Sequence, residues 1–177
     1  VKQGYTFAGW YIDYTCSKPY TGSTSTMPST FTNALGQSDL KAKGMVLFAK
    51  WIPSADTQYT VEHYLEELNG SYQLSAAETR QGTTEAMTAD SANEYPGFTA
   101  RAFEEQTIAP DGSTVVRVYY NRNQYTVTWD LNNGMQQTIQ ICKYGAEMAA
   151  PKPAREGYTF AGWDKTPSET VTESVTY

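Results

Sequence analysis

Gly157-Tyr158-Thr159-Phe160-Ala161-Gly162-Trp163 repeats, letter for letter, the stretch Gly4-Tyr5-Thr6-Phe7-Ala8-Gly9-Trp10. A seven-residue identity that includes a Trp is not chance, and an internal repeat governs the reading of everything around it. Inward from the two copies, Gln58-Tyr59-Thr60-Val61 returns as Gln124-Tyr125-Thr126-Val127. Asn69-Gly70 answers to Asn133-Gly134, Gly82 to Gly145, Met87 to Met148, and Gly97-Phe98-Thr99 to Gly157-Tyr158-Thr159. The offset falls from 66 residues at Gln58 and Gln124 to 60 at Gly97 and Gly157, as small loop deletions would produce. Val46-Leu47-Phe48-Ala49-Lys50-Trp51 precedes the first opening as Val115-Val116-Arg117-Val118-Tyr119-Tyr120 precedes the second. The chain therefore reads as three pieces: 1–53, the C-terminal part of a module; 56–121, a complete module; and 122–177, a module truncated in its last strand. The linkers at 53–57 and 121–123 are short, which makes a semi-rigid, elongated rod the expectation.

Within the complete piece, Tyr59, Val61, His63 and Leu65 alternate with Thr60, Glu62 and Tyr64, the period of a half-buried strand. Asn69-Gly70 suits a tight hairpin, and Tyr72 and Leu74 continue on the return strand. Thr88 as an N-cap predicts one or two helical turns over 87–94, ended by Pro96-Gly97. Phe98 to Ile108 is read as a third strand, Asp111-Gly112 as a turn, and Val115 to Tyr120 as a fourth strand. Strand, strand, short helix, strand, strand predicts an α+β, β-rich fold of tandem β-grasp (ubiquitin-like) modules. The last piece follows the same plan, with Pro151 and Pro153 weakening any helix there.

Composition supports strands and excludes several functions. Aromatic residues make up 14% of the 177 residues, led by 14 Tyr, and Tyr and Thr favour pleated surfaces. A net charge of -6 argues against nucleic acid, whose phosphates need a basic face, and against anionic lipid. No apolar run reaches the roughly 18 residues of a membrane span, so direct membrane insertion is not expected. The chain opens at Val1 with neither an initiator Met nor a signal peptide, as expected of a piece of something longer. Cys16 and Cys142 lie in different pieces and are expected as free, buried thiols rather than a disulfide.

No pattern in the sequence carries catalysis, so a non-enzymatic protein without cofactor or metal is expected. His63 is the only His, on the inward face of its strand, and reads as a satisfied core residue. The acidic pairs Glu66-Glu67, Glu104-Glu105 and Asp90 with Glu94 read as solvated surface, because neighbours on a strand point to opposite faces. The aromatics are the candidate ligand contacts. Tyr64, Tyr119, Tyr120, Tyr158 and Trp163 are placed to stack on sugars, although core packing also accounts for the repeated spacing of Tyr158, Phe160 and Trp163.

The motif Gly157 to Trp163, preceded by Pro151-Lys152-Pro153-Ala154-Arg155-Glu156, resembles the Listeria–Bacteroides repeat, also called the internalin B-type B repeat. The first piece resembles it too, from Gly4 to Trp10 and at Phe48-Ala49-Lys50-Trp51. Tyr59 to Tyr120 resembles the mucin-binding-protein-like modules of bacterial surface proteins. The resemblance implies a β-grasp fold, secretion, and display in tandem on a bacterial cell surface or cell wall, with neighbouring repeats as partners. It implies a stalk or spacer, or alternatively an adhesin module for host glycan, mucin or protein. The incomplete modules at either end predict weak self-association or a disordered first segment. Ser29 to Gly44 departs from the repeat pattern as a Ser/Thr/Gly-rich insertion and reads as a mobile excursion.

Overall fold

The computed structural model describes residues 1–22, 31–32, 38–39 and 46–177. The strands are β1 (Tyr5–Tyr11), β2 (Phe31–Thr32), β3 (Ser38–Asp39), β4 (Phe48–Pro53), β5 (Thr57–Glu66) and β6 (Tyr72–Gly82). They continue as β7 (Phe98–Ala100), β8 (Val115–Arg122), β9 (Gln124–Trp129), β10 (Thr138–Lys143) and β11 (Val175–Thr176). Four sheets result: β1-β4, β2-β3, β6-β5-β8-β7 and β10-β9-β11. Apart from the β2-β3 pair, the Ser29–Gly44 insertion lies outside the described residues.

No helix occurs among the described residues, so the fold is all-β and the expectation of α+β, β-grasp modules is overturned. The physical reason lies in 87–94, where the helix was expected. A helix needs its backbone N–H groups to meet carbonyls four residues back. Here Thr88 N instead meets Gln106 O at 2.8 Å, Asp90 N meets Glu105 Oε1 at 3.0 Å and Asn93 N meets the Tyr120 hydroxyl at 2.8 Å. The Thr88 hydroxyl accepts Gln106 N at 3.1 Å rather than capping its own segment. Thr, Asp, Ser and Asn favour such alternatives to the helical ladder. The expected strand from Phe98 to Ile108 shortens to β7 for a related reason, since Glu105, Gln106 and Thr107 turn to this extended segment.

The repeat is visible in the backbone. Tyr5 N bonds Lys2 O at 3.2 Å, Phe98 N bonds Tyr95 O at 3.0 Å and Tyr158 N bonds Arg155 O at 3.1 Å. The Gly in each turn, Gly4, Gly97 and Gly157, has φ of 73°, 79° and 78°. A positive φ at the third turn position is what selects Gly there. The same turn thus introduces both copies of the seven-residue stretch and the corresponding Gly97-Phe98-Thr99.

The chain forms two compact units: residues 1–59, 79–88 and 106–114, and residues 60–78, 89–105 and 115–177. In the first, β1 and β4 pair antiparallel, with a register shift between Phe7 and Gly9. Thr84, almost fully buried, is its polar centre. Its hydroxyl donates to Gly4 O at 2.7 Å, so the 2.6 Å contact with Thr57 is a bond that the Thr57 hydroxyl donates. Ser54 N bonds Gly4 O and Thr84 N bonds Ser54 O, each at 2.9 Å.

In the second unit, β5 and β8 run parallel from Thr60–Val115 to Leu65–Tyr120. Val61, His63, Val116, Val118 and Tyr120 are buried along one face of this pair, as strand alternation requires. β9 pairs antiparallel with β10 and parallel with β11. Its inward residues Val127 and Trp129 join Val171 and Tyr177 in a second core, with Trp163, Leu131 and Met148 against it.

Candidate functional site

The five aromatics proposed from sequence fall in three places. Tyr120 lies in the core, 1% exposed. Its hydroxyl bonds His63 Nδ1 at 2.8 Å and accepts Asn93 N. His63 is fully buried beside it, with Nε2 3.3 Å from Asn93 Nδ2 and 3.5 Å from Glu78 Oε1. That is a satisfied core histidine.

Tyr64 and Tyr119 lie on the opposite face of the same sheet. Their rings stack at 5.1 Å and 23°, and Tyr72 meets Tyr119 edge-on at 5.1 Å. The Tyr64 hydroxyl donates to Glu62 Oε2 at 2.9 Å, which raises its pKa above the ordinary phenol value. Arg117 Nε reaches the same oxygen at 3.1 Å, and the Tyr72 hydroxyl donates to Asn121. These rings are half-buried against one another, and the hydroxyls of Tyr64 and Tyr72 are engaged.

Tyr158 and Trp163 line a groove of about 580 Å3 together with Leu131, Phe160, Asp130, Asp164 and Tyr177. Tyr158 is 68% exposed, with the Arg155 guanidinium 4.2 Å over its ring. Trp163 is half-buried between Phe160, edge-on at 5.5 Å, and Trp129 at 4.9 Å. This is the place where open aromatic surface, polar groups and concavity coincide, the usual features of a ligand site.

A second arrangement, a clasp, lies where β8 passes into β9. Glu66 Oε1 accepts Lys143 Nζ at 2.7 Å and Oε2 accepts Arg122 N at 2.8 Å. Arg122 Nε donates to Glu66 O at 2.6 Å and its Nη1 to Tyr144 O at 2.8 Å. The Lys143 ammonium and the Arg122 amide hold the Glu66 carboxyl below its ordinary pKa. Asn123 N bonds Gly97 O, and Tyr144 N bonds Asn123 O, each at 2.8 Å. The Tyr144 ring fills the space a side chain at Gly97 would need: a Cβ there would come within 2.2 Å of Tyr144 Cγ. The short β8–β9 connection is thus bonded on both sides.

These features can be set beside known proteins. Residues 1–33 and 125–176 match the Listeria-Bacteroides repeat domain. The Gly-Tyr-Thr-Phe-Ala-Gly-Trp copies both fall inside the matched stretches. Across 173 residues the chain is 27% identical to a protein of Evansella cellulosilytica whose name provisionally assigns it to the membrane, covering 92% of this chain and 23% of the relative. A second protein of that organism, with the same provisional assignment and described as Gly-rich, is 26% identical over 172 residues, covering 92% of this chain and 18% of that relative. The chain therefore spans less than a quarter of the length of these relatives. No helix among the described residues is long and apolar enough to cross a membrane.

Outside the Listeria-Bacteroides repeat motif itself, the sequence hid most of the clasp. Glu66 read as a solvated acid, yet its side chain is only 14% exposed and is paired with Lys143. Lys143 and Arg122 carried no signal at all, because their partners are distant in sequence. The one available hint was the Gly97-Phe98-Thr99 correspondence, which places a Gly where Tyr144 docks. Cys16 and Cys142 are both free and half-buried.

Proposed function

We propose that this chain is a non-catalytic spacer from a repeat protein of the bacterial cell envelope, displayed outside the cell. The envelope location rests on the repeat family and on the membrane assignment carried by the names of the relatives. The spacer role rests on the clasp at 121–123. A spacer needs successive sheets that do not swivel, and a connection bonded by Glu66, Arg122, Lys143 and Tyr144 resists swivelling. The test uses spin labels at Asn69 and Asn133, the two hairpin tips. A single narrow distance distribution is expected, broadening in Glu66→Ala and in Arg122→Ala. A broad distribution in the unsubstituted chain overturns the spacer reading.

The groove favours a second reading, an adhesin module. Tyr158 and Trp163 offer ring faces beside Asp130 and Asp164, a combination suited to a neutral glycan. The resemblance of Tyr59–Tyr120 to mucin-binding-protein-like modules points the same way. This reading expects saturable binding on a panel of glycans and mucins, lost in Tyr158→Ala with the fold intact. Silence across the panel removes it.

A further inference from the structure

Strand β10 is an edge strand: β9 lies on one side, and no strand lies on the other among the described residues. Unpaired strand edges present a row of backbone donors and acceptors, and proteins usually guard them with charge, Pro or a bulge. The run Thr138-Ile139-Gln140-Ile141-Cys142 has no charge and no Pro. Lys143, which follows, is engaged by Glu66. The register sets Ile139 opposite Thr128 and Ile141 opposite Thr126. That puts both Ile on the face away from Trp129, where they are 65% and 72% exposed. Strand β6, the corresponding return strand of the middle segment, is also an edge. It carries the charged residues Glu78 and Arg80 within the strand, whereas Thr138 to Cys142 has none.

We propose that β10 pairs antiparallel with β10 of a second copy about a two-fold axis. With Gln140 opposite Gln140 of the second copy, Ile139 of each chain lies across from Ile141 of the other. The four Ile side chains then cover one another on one face of a continuous six-stranded sheet. A second copy fits better than an unrelated strand because the segment is self-complementary in this register. No charge within it opposes the pairing, and the two-fold contact closes on itself rather than propagating.

Sedimentation velocity of the full chain under reducing conditions, over a range of concentrations, tests the idea. A concentration-dependent dimer is expected, with the dissociation constant raised at least tenfold in Ile139→Lys/Ile141→Lys. Both positions are exposed, so an unchanged amide fingerprint verifies the fold of that variant. A second measurement replaces Cys16 and Cys142 by Ser and adds Gln140→Cys, which should give a covalent dimer on mild oxidation. Gln73→Cys, on β6, should not. A chain monomeric at every concentration overturns the proposal. So does a dimer indifferent to the two Lys substitutions, or cross-linking no greater at 140 than at 73.

Discussion

Gly4–Trp10 and Gly157–Trp163 have the same seven residues and different structural roles. Their local geometry agrees closely. The entry turns match, and the Phe–Trp ring pair sits at 5.4 Å and 67° in the first copy and 5.5 Å and 68° in the second. A cation covers the Tyr in each, Lys2 over Tyr5 and Arg155 over Tyr158. Their partners differ. The first copy is strand β1, paired along its length with β4, and Trp51 packs on Phe7 at 5.4 Å. The second makes a single bridge, Arg155 to Tyr158, and rests its Trp on Trp129. Seven residues dictate a turn and a ring contact, whereas a strand requires a neighbour that the seven residues do not contain.

Substitutions test how far the two copies differ, with amide exchange read separately in each copy. The largest effect is expected at the anchors. Trp129→Ala removes a fully buried ring and should cost about 4 kcal/mol around the second copy, while the half-buried Trp51→Ala should cost under roughly half of that around the first. Equal losses would mean that both copies depend on their anchors alike.

Next comes the shared Gly. Gly157→Ala meets open space and should cost only the left-handed strain of about 1–2 kcal/mol. Gly4→Ala also drives a Cβ to 2.7 Å from the Pro110 backbone, adding overpacking of about 1–3 kcal/mol. Indistinguishable melting of the two variants would contradict this.

Acid should then separate the copies. After the first copy, Asp13 is nearly buried and accepts hydrogen bonds from Thr15, Ser17 and Lys18. Those bonds, the Thr15 hydroxyl foremost, hold its carboxyl well below the ordinary aspartate range. A depressed native pKa contributes stability that is complete above the unfolded value of about 3.9 and is lost as pH falls below it. Asp13→Asn should therefore speed β1 amide exchange at neutral pH, with the difference from the parent chain shrinking in acid. A constant difference across pH would exclude the carboxylate as the cause.

The smallest effect is expected at the cations, under roughly 1 kcal/mol for the ring contact alone. Arg155→Ala should exceed Lys2→Ala, because Arg155 also donates to Asn132 O at 2.9 Å. Denaturation midpoints in the reverse order would show that the ring contact alone matters.

The same division explains what the sequence disclosed. The repeat, the chain reversals near Asn69-Gly70 and Asn133-Gly134, and the strands β5, β8 and β9 were legible because each is written in local pattern, although the tight two-residue turn is not formed, since Gly70 and Gly134 take a positive φ and Asn69 and Asn133 do not. The absent helix at 87–94 was not legible, since Asp90 and Asn93 are drawn to Glu105 and Tyr120 by contacts no window of sequence contains. For the candidate sites, Tyr158 and Trp163 were legible as aromatics of a repeated motif. That Tyr120 faces inward follows from the two-residue period of β8, which sends Val116, Val118 and Tyr120 one way and Tyr119 the other. Glu66 and Lys143 became a pair only when the sheets were in place.

The parallel pairing of β5 with β8 has a mechanical consequence. A pull transmitted along the backbone enters this sheet at the start of β5 and leaves at the end of β8. The two strands are then dragged past each other along their own length. Six registered residue pairs, Thr60–Val115 to Leu65–Tyr120, share that load at once instead of parting one after another. Rupture in this direction should demand far more force than peeling the β9–β10 hairpin apart from its open end.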